Sequence, residues 1–147
     1  VSHVSKAGMM QAAEVSRSPV VATHTACRAL RDHPRNIDDE QLDALARVGG
    51  LVQITAVSAF LRAPPPGSGA AGAADHVDHT VRRIGVEHVG VSSDFDGGGG
   101  VRGWENAAET GGLTAALRGR GYGPREVALL WSGNFLRVLR AAERLAD

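Results

Sequence analysis

Apolar and polar residues alternate along this chain with two different periods. In residues 6–16 the apolar positions recur at helical spacing, and Ser5 before them has the chemistry of an N-cap. The next apolar run, residues 20–22, is short and β-branched, and it ends at His24 and its neighbouring threonines. Such a run is typical of a strand buried on both faces. A helix followed by a buried strand is therefore predicted here.

The rest of the pattern continues this alternation of helices and strands. Acidic residues open the next predicted helix, where the helix dipole favours negative charge, and glycines end it. Clusters of proline and glycine mark loops. The pattern predicts helices over residues 38–48, 75–84, 113–120 and 124–145, strands over 51–57 and 86–92, a mobile loop over 63–74 and a second loop over 97–100.

Strands that alternate with helices indicate an α/β fold with a parallel sheet and right-handed crossovers. His24 and Asp94 are each predicted just past the C-terminal end of a strand. That edge carries the chemistry in (β/α)8 barrels, whereas the opposite rim serves stability. About three parallel strands with flanking helices are predicted, and three strands cannot close a barrel of about eight.

Composition excludes several classes of function. The 147 residues suffice for one domain, and 16 basic residues balance 16 acidic ones, which gives no electrostatic footprint for nucleic acid or an acidic membrane surface. No apolar run reaches the roughly 20 residues of a membrane-spanning helix. The single cysteine, Cys27, rules out an internal disulfide, so a cytoplasmic location is the default expectation.

Three residues could supply catalytic chemistry, namely His3, His24 and Asp94. Neutral imidazoles are good zinc ligands, and a carboxylate can bind a metal or transfer a proton. Taken singly, however, a histidine is more often a hydrogen-bonded or surface residue, and Asp94 lies in a string with ordinary turn chemistry. The individual residues therefore leave the function open.

Read together and in order, the strings around these residues resemble the membrane (renal) dipeptidase family, zinc dipeptidases of the amidohydrolase-like barrel superfamily. The resemblance covers almost the whole chain, and its most specific parts are Asp94-Phe95-Asp96-Gly97 and the Arg35-Asn36 pair. The matching strings are Ser2-His3-Val4-Ser5, residues 18–25, residues 32–36, residues 75–79, residues 85–97, Leu113-Thr114, Arg120-Gly121-Tyr122 and residues 133–138.

The resemblance implies a fold and a reaction. Residues 1–147 would be the C-terminal part of a single, incomplete (β/α)8 TIM-like barrel domain. The complete enzyme would bind two zinc ions and hydrolyse the peptide bond of dipeptides with a metal-activated water.

The resemblance also implies roles for four residues. His3 and His24 would bind the second zinc ion. Arg35 would bind the substrate, because a planar guanidinium suits the C-terminal carboxylate of a dipeptide. Asp94 would contact the substrate beside the scissile bond and act as the catalytic residue, orienting the water and passing its proton to the leaving amine.

Other polar residues match no ligand of the family. His33 and His88 have no transferred role, whereas His76 and His79 are predicted to pack within a helix and Asp96 to shape its loop. Residues 97–112 depart from the family pattern, with Trp104-Glu105-Asn106 where Leu-Glu-Asp is usual, and this leaves the substrate preference open.

Two parts of the family pattern are absent from the sequence. No His-x-Asp pair at the end of a first strand and no glutamate that would bridge both metals can be located, since the string His76-Val77-Asp78 falls inside a predicted helix late in the chain. Two neutral histidines alone cannot hold two dications. We therefore expect residues 1–147 by themselves to be catalytically inactive. The first residue is Val1 rather than methionine, and we expect the chain to be a piece of a longer enzyme.

Two alternatives stay open. One is another amidohydrolase-type hydrolase that cleaves amides or lactams, which would not need Arg35 to meet a free carboxylate. The other is a non-catalytic remnant or half-barrel that needs a partner chain, which predicts an exposed apolar sheet edge. The resemblance also allows a homodimer, and cobalt or manganese would satisfy the same ligands as zinc.

Overall fold

The computed structural model describes residues 1–61 and 69–145. Its helices and strands alternate along the chain, in agreement with the predicted α/β pattern. The elements are α1 (Lys6–Val15), β1 (Val21–Thr25), α2 (Asp39–Arg47), β2 (Leu51–Thr55), α3 (Ser58–Leu61), α4 (Gly69–Ile84), β3 (Val89–Ser92), α5 (Thr110–Gly119), α6 (Pro124–Ala128) and α7 (Asn134–Glu143). Within the described residues, no helix is both long and apolar enough to cross a membrane.

The three strands form one parallel sheet in the order β1-β2-β3. Strand β2 pairs with β3 in continuous register from Val52 opposite Val89 to Thr55 opposite Ser92. The pairing of β1 with β2 shifts register before Thr25, which lies opposite Ile54. The predicted set of three parallel strands is therefore confirmed. Because the strands are parallel, their C-terminal ends lie along one edge of the sheet.

Local sequence explains where the first helices begin. Ser5 caps α1, since its hydroxyl accepts a hydrogen bond from the backbone N–H of Gly8 at 3.1 Å. A capping box starts α2, in which Asp38 accepts from the Gln41 N–H and the Gln41 side chain accepts in return from the Asp38 N–H. The first turn of α2 contains acidic residues, whose negative charge interacts favourably with the helix dipole.

The core forms where the helices cover the sheet. Strand β2 is buried almost throughout, as expected for the central strand of a covered parallel sheet. Helices α2 and α4 supply apolar side chains to one cluster with all three strands. The largest fully buried side chains in this cluster include Trp104, Met9, Leu42, Leu45, Ile54, Leu61, Leu113, Leu117 and Leu130.

The predicted loop over residues 63–74 is wrong in its second part. Residues 69–74 form the first turns of α4, while residues 63–68 lie outside the described residues. Alanine has the highest helix propensity, and four alanines occur between Gly69 and Asp75. Ala73 and Ala74 are fully buried, so close packing also outweighs the glycines that suggested a loop.

Strand boundaries also differ from the pattern. Residues 86–88 form a 3-10 turn, and β3 begins only at Val89. The side-chain amide of Asn134 donates to the carbonyls of Val86 and Val89 at 2.6 and 2.8 Å, which ties this segment to the start of α7. Strand β2 ends at Thr55 rather than at residue 57. His24 lies within the last part of β1 rather than past its end, whereas Asp94 does follow β3.

The C-terminal helical region is not one continuous α-helix. A π-helical segment, Leu129–Gly133, separates α6 from α7, although a single helix was predicted over residues 124–145. Trp131 in this segment donates its indole N–H to the Thr114 hydroxyl at 2.9 Å, which ties the segment to α5. Helix α5 begins at Thr110, three residues before the predicted start.

Candidate metal and substrate site

Two imidazole rings meet at the C-terminal edge of the sheet. The Nε2 atoms of His3 and His24 lie 2.7 Å apart, and the ring centroids are 4.8 Å apart with the planes tilted by 55°. His24 is carried by β1, and His3 lies in the segment that runs beside that strand. The structure therefore brings together two histidines that are 21 residues apart in the sequence and that the family resemblance placed in one site.

Hydroxyl groups fix the backbone and the ring of this pair. The Ser2 hydroxyl accepts hydrogen bonds from the backbone N–H groups of Thr23 and His24 at 2.7 and 3.2 Å, and it lies 2.9 Å from the Thr23 hydroxyl. The Thr23 hydroxyl in turn lies 2.8 Å from Nδ1 of His24. A chain of polar contacts thus runs from Ser2 through Thr23 to the far side of the His24 ring.

Arg35 joins the same site from the loop after β1. Its Nη2 donates to the Ser2 carbonyl at 3.2 Å and lies 3.3 Å from Nε2 of His3. Among the described residues, no carboxylate pairs with this guanidinium. A cavity of about 120 Å³ beside His3 is lined partly by Arg28 and Arg35. The site therefore offers a positive charge that an anionic group could reach.

An aromatic ring contacts the guanidinium of Arg35, and hydrogen bonds hold the loop that carries this residue. Its Cζ lies 5.3 Å from the centroid of the Phe60 ring, in cation–π geometry. The Arg35 carbonyl accepts a hydrogen bond from the Thr25 hydroxyl at 2.9 Å. Asn36, which is buried, donates to the carbonyls of Arg31 and Phe60 at 2.9 and 2.7 Å. These contacts hold the position of Arg35.

A buried polar cluster anchors the start of this loop. The backbone N–H of Cys27 donates to Nδ1 of His76 at 2.9 Å, so Nδ1 is unprotonated and Nε2 carries the proton toward the Leu61 carbonyl. The Cys27 sulfur lies 3.1 Å from the Thr80 hydroxyl. Burial lowers the pKa of His76, outweighing the opposite effect of its bond to Leu61. His76 therefore acts as a neutral link between α4, the β1–α2 loop and α3.

Asp94 stands at the start of a tight turn after β3. Its φ of 56° is the only positive value at a non-glycine among the described residues. The Asp94 carbonyl accepts from the N–H groups of Gly97 and Gly99 at 3.0 and 2.7 Å. A Cβ at Gly97 would displace the Asp94 carboxylate, which lies against this position. The turn thus places Asp94 two residues after the end of β3, with its carboxylate beside Gly97.

The electrostatics of His24 connect the strand ends. Burial is the largest effect and lowers the pKa of His24; the carboxylate of Asp94 raises it, and the charges of His3 and Arg35 lower it further. The net effect keeps His24 neutral at ordinary pH, which is the form that binds a metal. The charge of Asp94 thus reaches His24, although the described residues show no hydrogen bond between them.

The histidine pair suits a metal as far as its donor atoms go. Imidazole nitrogens are typical zinc ligands, and the Nε2 atoms of His3 and His24 would be the ligand atoms of a bound ion. No group of three or more His, Cys, Asp or Glu side chains that could hold a metal gathers within residues 1–61 and 69–145. The pair therefore supplies part of a ligand set.

The remaining predicted residues lie away from the pair. His76 is buried in α4 and His79 bonds Asp39 at 2.8 Å, which agrees with their predicted packing roles. His33 stacks against Phe60, and His88 lies 3.0 Å from the Gly50 carbonyl. Ser2, Thr23 and Phe60 were missed. A hydroxyl residue directly precedes both His3 and His24 in the sequence, and this repeated pair was the available signal.

Comparison with known proteins identifies the family to which this chain is similar. The sequence matches the family described as membrane dipeptidase (peptidase family M19) over residues 1–147. It is 35% identical over 147 residues to dipeptidase tcpJ of Claviceps purpurea, covering 99% of this chain and 35% of that protein. The chain spans about a third of the length of the curated relatives it matches.

Solved structures show the same architecture. The probable dipeptidase PvdM from Pseudomonas aeruginosa superposes with a TM-score of 0.93 at 31% identity, covering 98% of this chain and 50% of that one. A metallo peptidase from Rhodobacter sphaeroides, liganded with a phosphinate mimic of the dipeptide L-Ala-D-Ala, gives a TM-score of 0.89 at 31% identity, covering 95% of this chain and 41% of that one. These neighbours are TIM-barrel-type dipeptidases matched over part of their length, which confirms the predicted fold class. On its sequence and its fold, the chain belongs to the membrane dipeptidase family, peptidase family M19.

Proposed function

We propose that this chain supplies one side of the active site of a zinc-dependent dipeptidase that hydrolyses the peptide bond of dipeptides. One observation carries the proposal: the Nε2 atoms of His3 and His24 face each other at 2.7 Å, with the Arg35 guanidinium 3.3 Å from the same His3 atom. A metal position and an anion-binding group are thereby adjacent in a chain of the dipeptidase family. A dipeptide carries its peptide carbonyl close to a free carboxylate, so a single dipeptide could reach the metal position and Arg35 at the same time.

Each residue has a role in this proposal. His3 and His24 bind one zinc ion, which when bound supplies the Lewis acidity that lowers the pKa of water and polarises a carbonyl. Arg35 binds the substrate carboxylate, since its guanidinium carries no carboxylate partner among the described residues and points into the site. Asp94 orients the attacking water and carries its proton to the leaving amine.

The same reasoning makes residues 1–147 inactive on their own. The described residues offer two histidines as metal ligands, and no third His, Cys, Asp or Glu joins them. Catalytic zinc sites of hydrolases hold the metal with about three protein ligands. We therefore propose that the remaining ligands come from chain outside residues 1–147, and that zinc is bound by this chain alone only weakly.

Binding measurements test the substrate assignment without requiring turnover. Calorimetry of the zinc-supplemented chain with an alanyl-alanine dipeptide should show binding that Arg35→Ala weakens about tenfold. The amidated dipeptide should bind the parent chain as weakly as the free dipeptide binds the variant, because both remove the same ion pair. Arg125→Ala, an exposed arginine on α6, is the matched control. Equal affinity for free and amidated dipeptides would count against a dipeptidase and favour an amide or lactam hydrolase.

An activity assay tests the inactivity of the chain. No release of alanine is expected from the same dipeptide with residues 1–147 and zinc. Hydrolysis that Asp94→Asn abolishes would refute the proposed inactivity while supporting the assignment of Asp94.

A further inference from the structure

Each histidine of the candidate metal pair is preceded by a hydroxyl residue, and the two hydroxyls are linked. Ser2 lies before His3 and Thr23 lies before His24, and their oxygens are 2.9 Å apart. The Thr23 oxygen is also 2.8 Å from Nδ1 of His24, on the side of the ring opposite the atom that faces His3. The dipeptide mechanism proposed above uses neither hydroxyl.

Counting protons and lone pairs gives this chain of contacts a direction. A hydroxyl has one proton and two lone pairs. The Ser2 oxygen already accepts from two backbone N–H groups, those of Thr23 and His24, at 2.7 and 3.2 Å. Both of its lone pairs are therefore engaged, and its proton is left to point at the Thr23 oxygen. Thr23 then accepts from Ser2 and keeps a second lone pair free.

That second lone pair faces the ring nitrogen that must carry a proton when His24 binds a metal. Coordination through Nε2 requires a neutral imidazole protonated at Nδ1. An Nδ1–H of His24 can donate to Thr23 at the observed 2.8 Å, and this fills the hydrogen-bonding capacity of the Thr23 oxygen as an acceptor. The ring is then held with the Nε2 lone pair directed at the point that His3 also faces.

We propose that Ser2 and Thr23 are positioning residues for His24, which hold its imidazole as the Nδ1–H tautomer with Nε2 directed at the metal. The inference rests on the proposed metal role of His3 and His24. Ser2 serves both ends of the pair, because its hydroxyl orders the Thr23–His24 backbone while its own carbonyl holds Arg35 at 3.2 Å. Substitution of a residue that orients a metal-binding histidine in this way typically lowers the metal affinity about 10–100-fold.

Zinc affinity is the measurement that tests this inference, and it needs no catalytic activity. The purified chain is titrated with Zn²⁺ in competition with a chromophoric chelator. Thr23→Val, which keeps the shape but removes the hydroxyl, should weaken zinc binding about tenfold, and Ser2→Ala should do the same. Thr23→Ser should restore binding to within about twofold. Ser132→Ala, an exposed hydroxyl in the π-helical segment, is the control and should change nothing.

The histidine tautomer gives a second, independent measurement. Long-range ¹H–¹⁵N spectra of the zinc-loaded chain should show Nδ1 of His24 protonated and its hydrogen exchange with solvent slowed, and Thr23→Val should speed that exchange. If Thr23→Val fails to fold by circular dichroism, Ser2→Ala, Thr23→Ser and the wild-type spectrum decide the question.

The outcomes separate this inference from the proposed function. Zinc binding that His24→Ala leaves unchanged would overturn the metal role itself, and the positioning role with it. Zinc binding that His24→Ala abolishes while Thr23→Val and Ser2→Ala leave it intact would overturn only the positioning role. A His24 ring protonated at Nε2 and bound to zinc through Nδ1 would likewise contradict it.

Discussion

The guanidinium of Arg35 lies above the ring of Phe60, with Cζ 5.3 Å from the ring centroid. The ring and the bond from Arg35 to the Ser2 carbonyl at 3.2 Å fix the guanidinium from two directions. Arginine loses side-chain freedom when it binds an anion, and a guanidinium already held on an aromatic face loses less. The pair therefore links packing at the end of α3 to the proposed capture of a substrate carboxylate.

Replacing Phe60 by leucine should weaken dipeptide binding without unfolding the chain. The substitution keeps most of the apolar volume but removes the ring face, and a partly exposed cation–π contact contributes about 0.5–1 kcal/mol. Calorimetry with an alanyl-alanine dipeptide should show an affinity about two- to fivefold lower. Phe135→Leu on α7, whose side chain is exposed, is the matched control. An unchanged affinity for Phe60→Leu would show that the Phe60 ring does not assist Arg35 in binding the dipeptide.

The thiol of Cys27 should be inert in the folded chain. The side chain is fully buried, and burial raises its pKa to about 12, against a smaller lowering by the Thr80 hydroxyl. At about pH 8 the thiol is therefore protonated, and only the thiolate reacts with disulfide reagents. Labelling with Ellman's reagent should be complete only in denaturant. A Cys27→Ala chain that carries Ser132→Cys, an exposed position, should label at once in the folded state.

Rapid labelling of native Cys27 would contradict the buried cluster at the start of the Arg35 loop. The rate is informative in either case, because a slow reaction that follows the opening of the fold reports how often this region becomes exposed.

His76 should make the stability of the chain depend on pH. Burial lowers its pKa in the folded state below the ordinary value of 6.5. The unfolded chain therefore takes up a proton first as the pH falls, so the stability that is fully present above about pH 6.5 decreases toward the folded-state pKa. The decrease approaches about 1.4 kcal/mol per pH unit where His76 is charged in the unfolded state alone.

A variant isolates this contribution from that of the other histidines. His76→Gln should lower the free energy of unfolding by about 1–3 kcal/mol, because its bonds to Cys27 and Leu61 are disturbed in the buried interior. It should also flatten the pH dependence measured by urea unfolding between about pH 7.5 and 5.5. His33→Gln is the control, since His33 is only partly buried. Parallel pH curves for wild type and His76→Gln would contradict this prediction, because they would show that His76 takes up its proton equally in the folded and the unfolded chain.

Much of this fold follows from local patterns. The strand at Leu51–Thr55 is mainly apolar and α2 carries a capping box, and both elements were predicted close to their actual bounds. The start of α4 was not, because Gly69 and Gly72 favour a loop locally, whereas the burial of Ala73 and Ala74 is a tertiary effect. Packing that involves distant residues cannot be read from a short window of sequence.

The site shows the same division. His3 and His24 were predicted to meet because the resemblance placed them at neighbouring strand ends, and the structure brings their Nε2 atoms to 2.7 Å. The hydroxyl chain was not predicted, since it depends on how residues 1–4 lie against β1. Phe60 left no signal, because an aromatic residue in a short helix is usually part of a core, and its contact with Arg35 spans 25 residues.

Substitutions at Asp94 should separate the stability of its turn from the proposed function of its carboxylate. The left-handed conformation, with φ of 56°, costs an ordinary L-residue about 1–2 kcal/mol, whereas asparagine, aspartate and glycine adopt it more readily. In urea unfolding, the free energy of unfolding of Asp94→Ala should therefore be about 1 kcal/mol lower than that of Asp94→Gly. Asp94→Asn should match the wild type. Asp96→Ala, exposed in the next turn, should stay within about 0.5 kcal/mol of the wild type. Equal stability of Asp94→Ala and Asp94→Gly would mean that the turn relaxes in solution. If Asp94→Gly is at least as stable as the wild type, the Asp94 carboxylate does not stabilise this turn, and the side chain is then available for the proposed role in proton transfer.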